Sequence, residues 1–217
     1  MQIFLRMTEK EIPMTDPFAI TIAISSLAIS ILTFYLTYFR RGTVLMSQPT
    51  VIFFGPDGKG KKVNRAEHLP SKVYFRALLF STAKRGRIIE SMHITVARSE
   101  AQQNFSVWVH GEKDKLVRGS GLFVGESGVA TDHHFLLPKD IGQFKWLPGG
   151  YEMTVFARIH GDCETKELFR QELTVTKDDA QLLETDDNGI YFDWGPDSLK
   201  YYSHIKNIPE EPDFLKK

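Results

Sequence analysis

From Phe18 to Phe39 the chain runs for 22 residues without a charge, a proline or a glycine. As an α-helix rising 1.5 Å per residue, this stretch reaches about 33 Å, enough to cross the hydrocarbon core of a bilayer. Eleven of the 22 are Phe, Ile or Leu, each favouring insertion by roughly 0.3–0.6 kcal/mol. Tyr35 and Tyr38 stand where an interfacial aromatic belt would sit. A cleaved signal peptide is the competing reading, and three features count against it. Glu9, Glu11 and Asp16 precede the run, Arg40 and Arg41 follow it in place of a small-residue cleavage site, and it exceeds the roughly 7–15 residues of a signal core. The sequence therefore predicts a retained, single-pass anchor.

The flanks set its direction. Arg6 and Lys10 are the basic residues of the short N-terminal tail, whereas Arg40 and Arg41 abut the far end and Lys59, Lys61, Lys62 and Arg65 follow. By the positive-inside rule the tail faces out and the large domain faces the cytoplasm. Within the helix, Ala19, Ala23, Ser26, Ser30, Thr33 and Thr37 recur at spacings of 4, 3, 4, 3 and 4. Small residues on such a seam let two helices approach closely, so the bilayer is one expected partner and self-association or a partner helix another. Nine of the 22 residues are Ala, Ser or Thr, a composition that also produces some striping by chance.

Beyond the anchor, period-two alternation between turn clusters predicts strands. Val73, Phe75, Ala77 and Leu79 share one face and Ser81 closes it. Lys84-Arg85-Gly86 supplies a turn, after which Met92, Ile94 and Val96 share a face, a pattern expected of a β-hairpin. Phe105, Val107 and Val109 alternate with Ser106, Trp108 and His110, and Tyr151, Met153, Val155, Ala157 and Ile159 alternate with Glu152, Thr154, Phe156, Arg158 and His160. Phe169, Leu173 and Val175 fall together, and shorter apolar pieces at Val51–Phe54, Leu122–Val124 and Phe135–Leu137 bring the total to seven or more strands. Without a long amphipathic helix between 44 and 176 to serve as a crossover, an antiparallel two-sheet sandwich is expected.

The fold class is thus mainly β behind one transmembrane helix. Its segments are a tail (1–17), the helix (18–39), a β-sandwich (40–176) and an acidic, aromatic C-terminal extension packed on it (177–217). That extension holds Tyr191, Phe192, Trp194, Tyr201 and Tyr202, too many aromatics for a disordered segment. Pro148-Gly149-Gly150-Tyr151 resembles the turn-then-Tyr start of a strand in immunoglobulin-like sandwiches. The resemblance implies that architecture and nothing about function.

Composition narrows the partners. Lys plus Arg and Asp plus Glu each number 27, so no excess of positive charge would draw the chain to nucleic acid. The lone Cys163 excludes an internal disulfide and a zinc site of paired cysteines. It lies between Asp162 and Glu164, whose charges oppose a reactive thiolate.

Several motifs suggest chemistry. Gly55-Pro56-Asp57-Gly58-Lys59-Gly60-Lys61-Lys62 follows the phosphate-binding loop pattern until its last position, where Lys62 replaces the Ser or Thr that would hold magnesium. It leads through Pro70 into a strand rather than into a helix, so it reads as a hairpin tip without a cofactor, and its lysines as membrane-proximal contacts to anionic lipid together with Arg40 and Arg41. Asp132-His133-His134 is the densest set of acid, base and ligand groups, the candidate for a catalytic or metal site. In a strand His133 and His134 point to opposite faces, and His93, His110 and His160 fall on the non-core faces of theirs. Gly119-Ser120-Gly121, Gly125-Glu126-Ser127-Gly128 and Asp186-Asp187-Asn188-Gly189 read as turns. Trp108, Trp146 and Trp194, with Phe156, are expected to form a second layer, cover the extension, or build an exposed patch.

The function expected from these residues is a membrane-tethered interaction or scaffold module without catalytic activity. The alternatives are a tethered enzyme using Asp132, His133 and His134, and an extracytoplasmic ligand-binding domain.

Overall fold

The computed structural model describes residues 16–57, 70–112, 115–138, 144–184 and 188–207. They divide into a unit ending at Arg40 and a unit from Arg41 onward.

The first unit is helix α1 (Pro17–Tyr38). Asp16 caps it by accepting the Phe18 N–H at 3.0 Å, and Pro17 occupies the first turn, where its missing N–H costs nothing. None of its residues is buried against protein, and it is long and apolar enough to span a membrane. Its hydroxyls do not oppose that. Thr21, Ser25, Ser30 and Thr33 each donate to the carbonyl four residues back at 2.8 Å, so these polar groups are satisfied within the helix.

The second unit is two antiparallel sheets. The larger contains β1 (Val44–Met46), β2 (Val51–Pro56), β3 (Ser71–Ser81), β6 (Val107–Glu112), β7 (Lys115–Arg118), β9 (Val129–Leu136), β12 (Asn188–Gly195) and β13 (Lys200–Asn207). Its order is β13-β12-β2-β3-β9-β6-β7, with β1 beside the C-terminal part of β3. The smaller contains β4 (Arg87–Arg98), β5 (Ala101–Phe105), β8 (Leu122–Val124), β10 (Gly149–Ile159) and β11 (Thr165–Val175), ordered β11-β10-β4-β5 with β8 also on β4. One core lies between them, built from Ile52, Phe54, Phe75, Ile94, Phe105, Phe135, Tyr151, Val155 and Phe192 among others. The alternation of Val73, Phe75, Ala77 and Leu79 on β3, and of Tyr151 to Ile159 on β10, supplies much of this interior.

Two sequence expectations are corrected. β3 and β4 are not a hairpin: the loop Thr82–Gly86 carries the chain from one sheet to the other, and β3 pairs with β1, β2 and β9. Both strands turn their apolar faces into the same core, which alternation alone cannot distinguish from pairing. The inward face also changes at Ser106. Phe105 is buried in the smaller sheet, the chain crosses, and Trp108 and His110 then point inward while Val107 and Val109 do not. The break shifts the parity by one residue, so Trp108 belongs to the core and His110 is not on an outer face.

The residues after 176 enter the larger sheet itself. Thr176 and Asp179 form a capping box that starts the short helix α2 (Lys177–Leu182). β12 then hydrogen-bonds along β2 from Ile190↔Phe54 to Asp193↔Val51, and β13 completes the edge. Trp146 is buried in the core, stacked on Phe54 at 4.4 Å, while Trp194 is half-buried against Tyr201.

Candidate functional site

The outer face of the larger sheet carries a single cross-strand rung of rings. Register aligns His204 with Tyr191, Tyr191 with Phe53, Phe53 with Tyr74, and Tyr74 with His134, one residue from each of five neighbouring strands. Directly opposed side chains in a sheet lie close enough for rings to touch. His204 stacks on Tyr191 at 5.5 Å, Tyr191 meets Phe53 at 4.9 Å, and Tyr74 meets His134 at 4.7 Å.

Phe53 holds the middle. Although on the outer face, it is only 4% exposed. Its ring covers the bare backbone of Gly189, where an added Cβ would lie 2.1 Å from it, and of Gly55. An aromatic ring laid over a strand glycine buries backbone that the glycine would leave open. Lys72 and Lys206 place their ammonium groups 5.8 Å from the Phe53 ring and 6.0 Å from the Tyr191 ring, adding cation–π attraction at the rim.

Beside the rung is a polar set. Asp132 accepts from the Tyr74 hydroxyl at 3.1 Å and from Arg76 Nη1 at 3.3 Å. Burial, reinforced by the neighbouring Asp132 carboxylate, raises the Tyr74 pKa well above the ordinary range, so Tyr74 remains a phenol. His134 is pushed down to about 4 by burial first and by the Lys72 charge second, partly offset by Asp132 and Asp57. At neutral pH it is an uncharged imidazole.

His133 points the other way. It is 0% exposed, and its Nδ1 accepts the Trp108 Nε1–H at 3.2 Å. Accepting at Nδ1 places the neutral ring's proton on Nε2, which has no hydrogen-bond partner. Burial drives its pKa to about 3, helped by His110 and His134 and opposed by Asp132. The Asp132-His133-His134 run is therefore split by strand parity: His134 joins the outer rung, Asp132 lies beside it on the same face, and His133 is a core imidazole holding an indole.

The other candidates are dispersed. His93 stacks on Phe156 at 5.1 Å in the smaller sheet, and His160 bonds Glu90 at 2.7 Å. Among the described residues no three His, Cys, Asp or Glu side chains converge as a metal site. Cys163 is exposed. Lys59, Lys61 and Lys62 lie outside the described residues, Arg40 and Arg41 are exposed, and Ala19, Ala23, Ser26, Ser30, Thr33 and Thr37 lie along α1 with none buried.

Sequence reasoning passed over Tyr74, Arg76, Phe53 and Lys72. The outward positions of the 71–81 run, Lys72, Tyr74, Arg76 and Leu78, were the available signal. No protein-family model matches this sequence, and no curated protein matches it.

Proposed function

We propose that this chain is a single-pass membrane protein whose sandwich is a non-catalytic interaction module, binding a protein partner or its own copies through the ring-bearing outer face. The observation that carries this reading is the aligned rung His204, Tyr191, Phe53, Tyr74 and His134, edged by Arg76, Lys72 and Asp132. Tyrosine and arginine dominate the energetics of protein interfaces because they combine large contact area with directed hydrogen bonds. A binding role rather than a catalytic one is supported by how these groups are committed. Asp132 is engaged by Tyr74 and Arg76, Tyr74 is held protonated, and His134 is a weak base.

The tether is supported by α1, an apolar helix with no buried residue, while the core side chains of the described residues begin at Val44. We read the domain as cytoplasmic, with the N-terminal tail outside, from the Arg40-Arg41 flank. We read the sandwich as immunoglobulin-like because the Tyr151 hydroxyl donates to the Leu147 carbonyl oxygen at 2.7 Å, the bond of a tyrosine corner. Helix pairing along the Ala19 to Thr37 seam is the route by which copies would meet in the bilayer.

The test uses a photo-crosslinking amino acid at position 76 of the full chain in its native membrane, with a second at exposed position 164 as the off-face control. A discrete adduct from position 76 that disappears with Tyr74→Ser and Tyr191→Ser is expected. Indistinguishable products from both positions would overturn the assignment of this face.

A further inference from the structure

We propose that the end of the sandwich where the chain leaves the anchor docks on an anionic bilayer, with Arg41 and Arg85 taking a lipid phosphate and Phe123 and Ile88 entering the interfacial layer. This rests on the anchored reading above.

A cleft of about 330 Å³ lies at this end, lined by Arg41, Arg85, Arg87, Ile88, Phe123 and His160 among others. Its three arginines are not equivalent. Arg87 is structural: only 9% of its side chain is exposed, and its Nη2 donates to Asp162 Oδ1 at 2.5 Å and to the His160 carbonyl oxygen at 3.1 Å. His160 is engaged by Glu90. Arg41 and Arg85 are exposed and, among the described residues, neither meets a carboxylate. Two uncommitted guanidinium groups therefore flank a cleft whose internal charges are already neutralised, the arrangement that recognises a phosphate.

The apolar component names the source of that phosphate. Phe123 and Ile88 are cross-strand partners in β8 and β4, and they are 60% and 40% exposed. The Phe123 ring lies on Gly86, where an added Cβ would be 2.5 Å away, and Gly86 has φ +71°, so glycine serves both the turn and the ring. A soluble phosphate has no use for an exposed aromatic-aliphatic pair beside its arginines. A bilayer surface, with headgroups above and apolar chains below, uses both.

Placement follows from covalent connection. Two residues, Phe39 and Arg40, lie between Tyr38, the end of α1, and Arg41, so three backbone steps let Arg41 stand at most about 11 Å from the helix end. The next residues are pinned to the same end of the sandwich. Thr43 N–H donates to Thr82 Oγ1 at 2.9 Å, Thr82 N–H donates to the Thr43 carbonyl oxygen at 2.9 Å, and Lys166 Nζ donates to Thr43 Oγ1 and to the Val44 carbonyl oxygen. Arg85 is three residues beyond this clamp. A short tether also raises the effective lipid concentration to roughly millimolar or above, so a weak headgroup site is occupied.

The full chain is incorporated into nanodiscs of phosphatidylcholine alone, or of seven parts phosphatidylcholine to three parts phosphatidylglycerol, and amide exchange is followed at 82–86 and 160–163. Exchange should slow in the anionic discs, by about 5-fold for each uncommitted arginine, since a basic residue near an anionic surface contributes about 1 kcal/mol. Arg41→Gln with Arg85→Gln should return the phosphatidylcholine rate, and Arg41→Lys with Arg85→Lys should keep most of the protection. Equal exchange in the two discs overturns the proposal, as does slowing by inorganic phosphate in phosphatidylcholine discs without any effect of anionic lipid. Failure of the anchor has its own signature, full chain that does not co-migrate with the discs, and it removes this proposal as well.

Discussion

The imidazole of His133 sets a measurable acid limit on the sandwich. It is wholly buried, accepts a hydrogen bond from Trp108 and has a folded pKa of about 3, against roughly 6.5 when the chain is unfolded. Because the folded value is depressed, the unfolded state binds the extra proton between these values. The stabilising contribution is complete above about pH 6.5 and is lost as pH falls towards 3. Between pH 7 and pH 5 this linkage removes about 2 kcal/mol, a large share of the ~5–15 kcal/mol that holds a typical domain together. Residues 41–217 contain every core side chain among the described residues, so urea unfolding of that fragment at the two pH values, followed by tryptophan fluorescence, measures the loss. His133→Phe is the comparison. It strands the Trp108 N–H and lowers stability at both pH values by about 1–3 kcal/mol, but it removes the titrating group. Wild type should lose about 2 kcal/mol more than His133→Phe on acidification. The subtraction cancels His93 and His134, which also have lowered pKa values and other surroundings. Equal losses in the two proteins would refute the reasoning.

Gly189→Ala forces a methyl against Phe53 and should cost about 1–3 kcal/mol in the same urea assay while weakening crosslinking at position 76. Tyr151→Phe removes the bond to the Leu147 carbonyl oxygen and should lower stability by about 1 kcal/mol without changing the fold seen by circular dichroism. Leu27→Arg, near the middle of α1, adds roughly 3 kcal/mol to the cost of insertion and should release a share of the chain from carbonate-washed membranes. Unchanged retention would count against a spanning helix.

How much was legible depended on distance along the chain. α1, β3 and β10 are each continuous runs with one pattern, so length or alternation exposes them directly. Strand partners were harder. The Lys84-Arg85-Gly86 turn looks like a hairpin tip because alternation tells which face is apolar, not which sheet receives it. The parity change at Ser106 was hidden because Phe105, Val107 and Val109 form an unbroken alternation, and only the crossing between sheets reverses it. The candidate surface is the extreme case. Phe53 and Tyr191 come from opposite ends of the domain and become neighbours only through the pairing of β2 with β12. The adjacent trio Asp132, His133 and His134, by contrast, drew notice for closeness in sequence that the pleat undoes.

That pairing also orders events during synthesis. β2 appears soon after α1, yet β12, which pairs with one of its flanks, arrives 136 residues later, counting from Phe54 to Ile190 (190 − 54). At about 5–20 residues per second, the ribosome takes roughly 7–27 s to deliver it. The nascent domain therefore waits with one flank of an apolar strand open, and a chaperone that shields strand edges would have its longest opportunity in that interval.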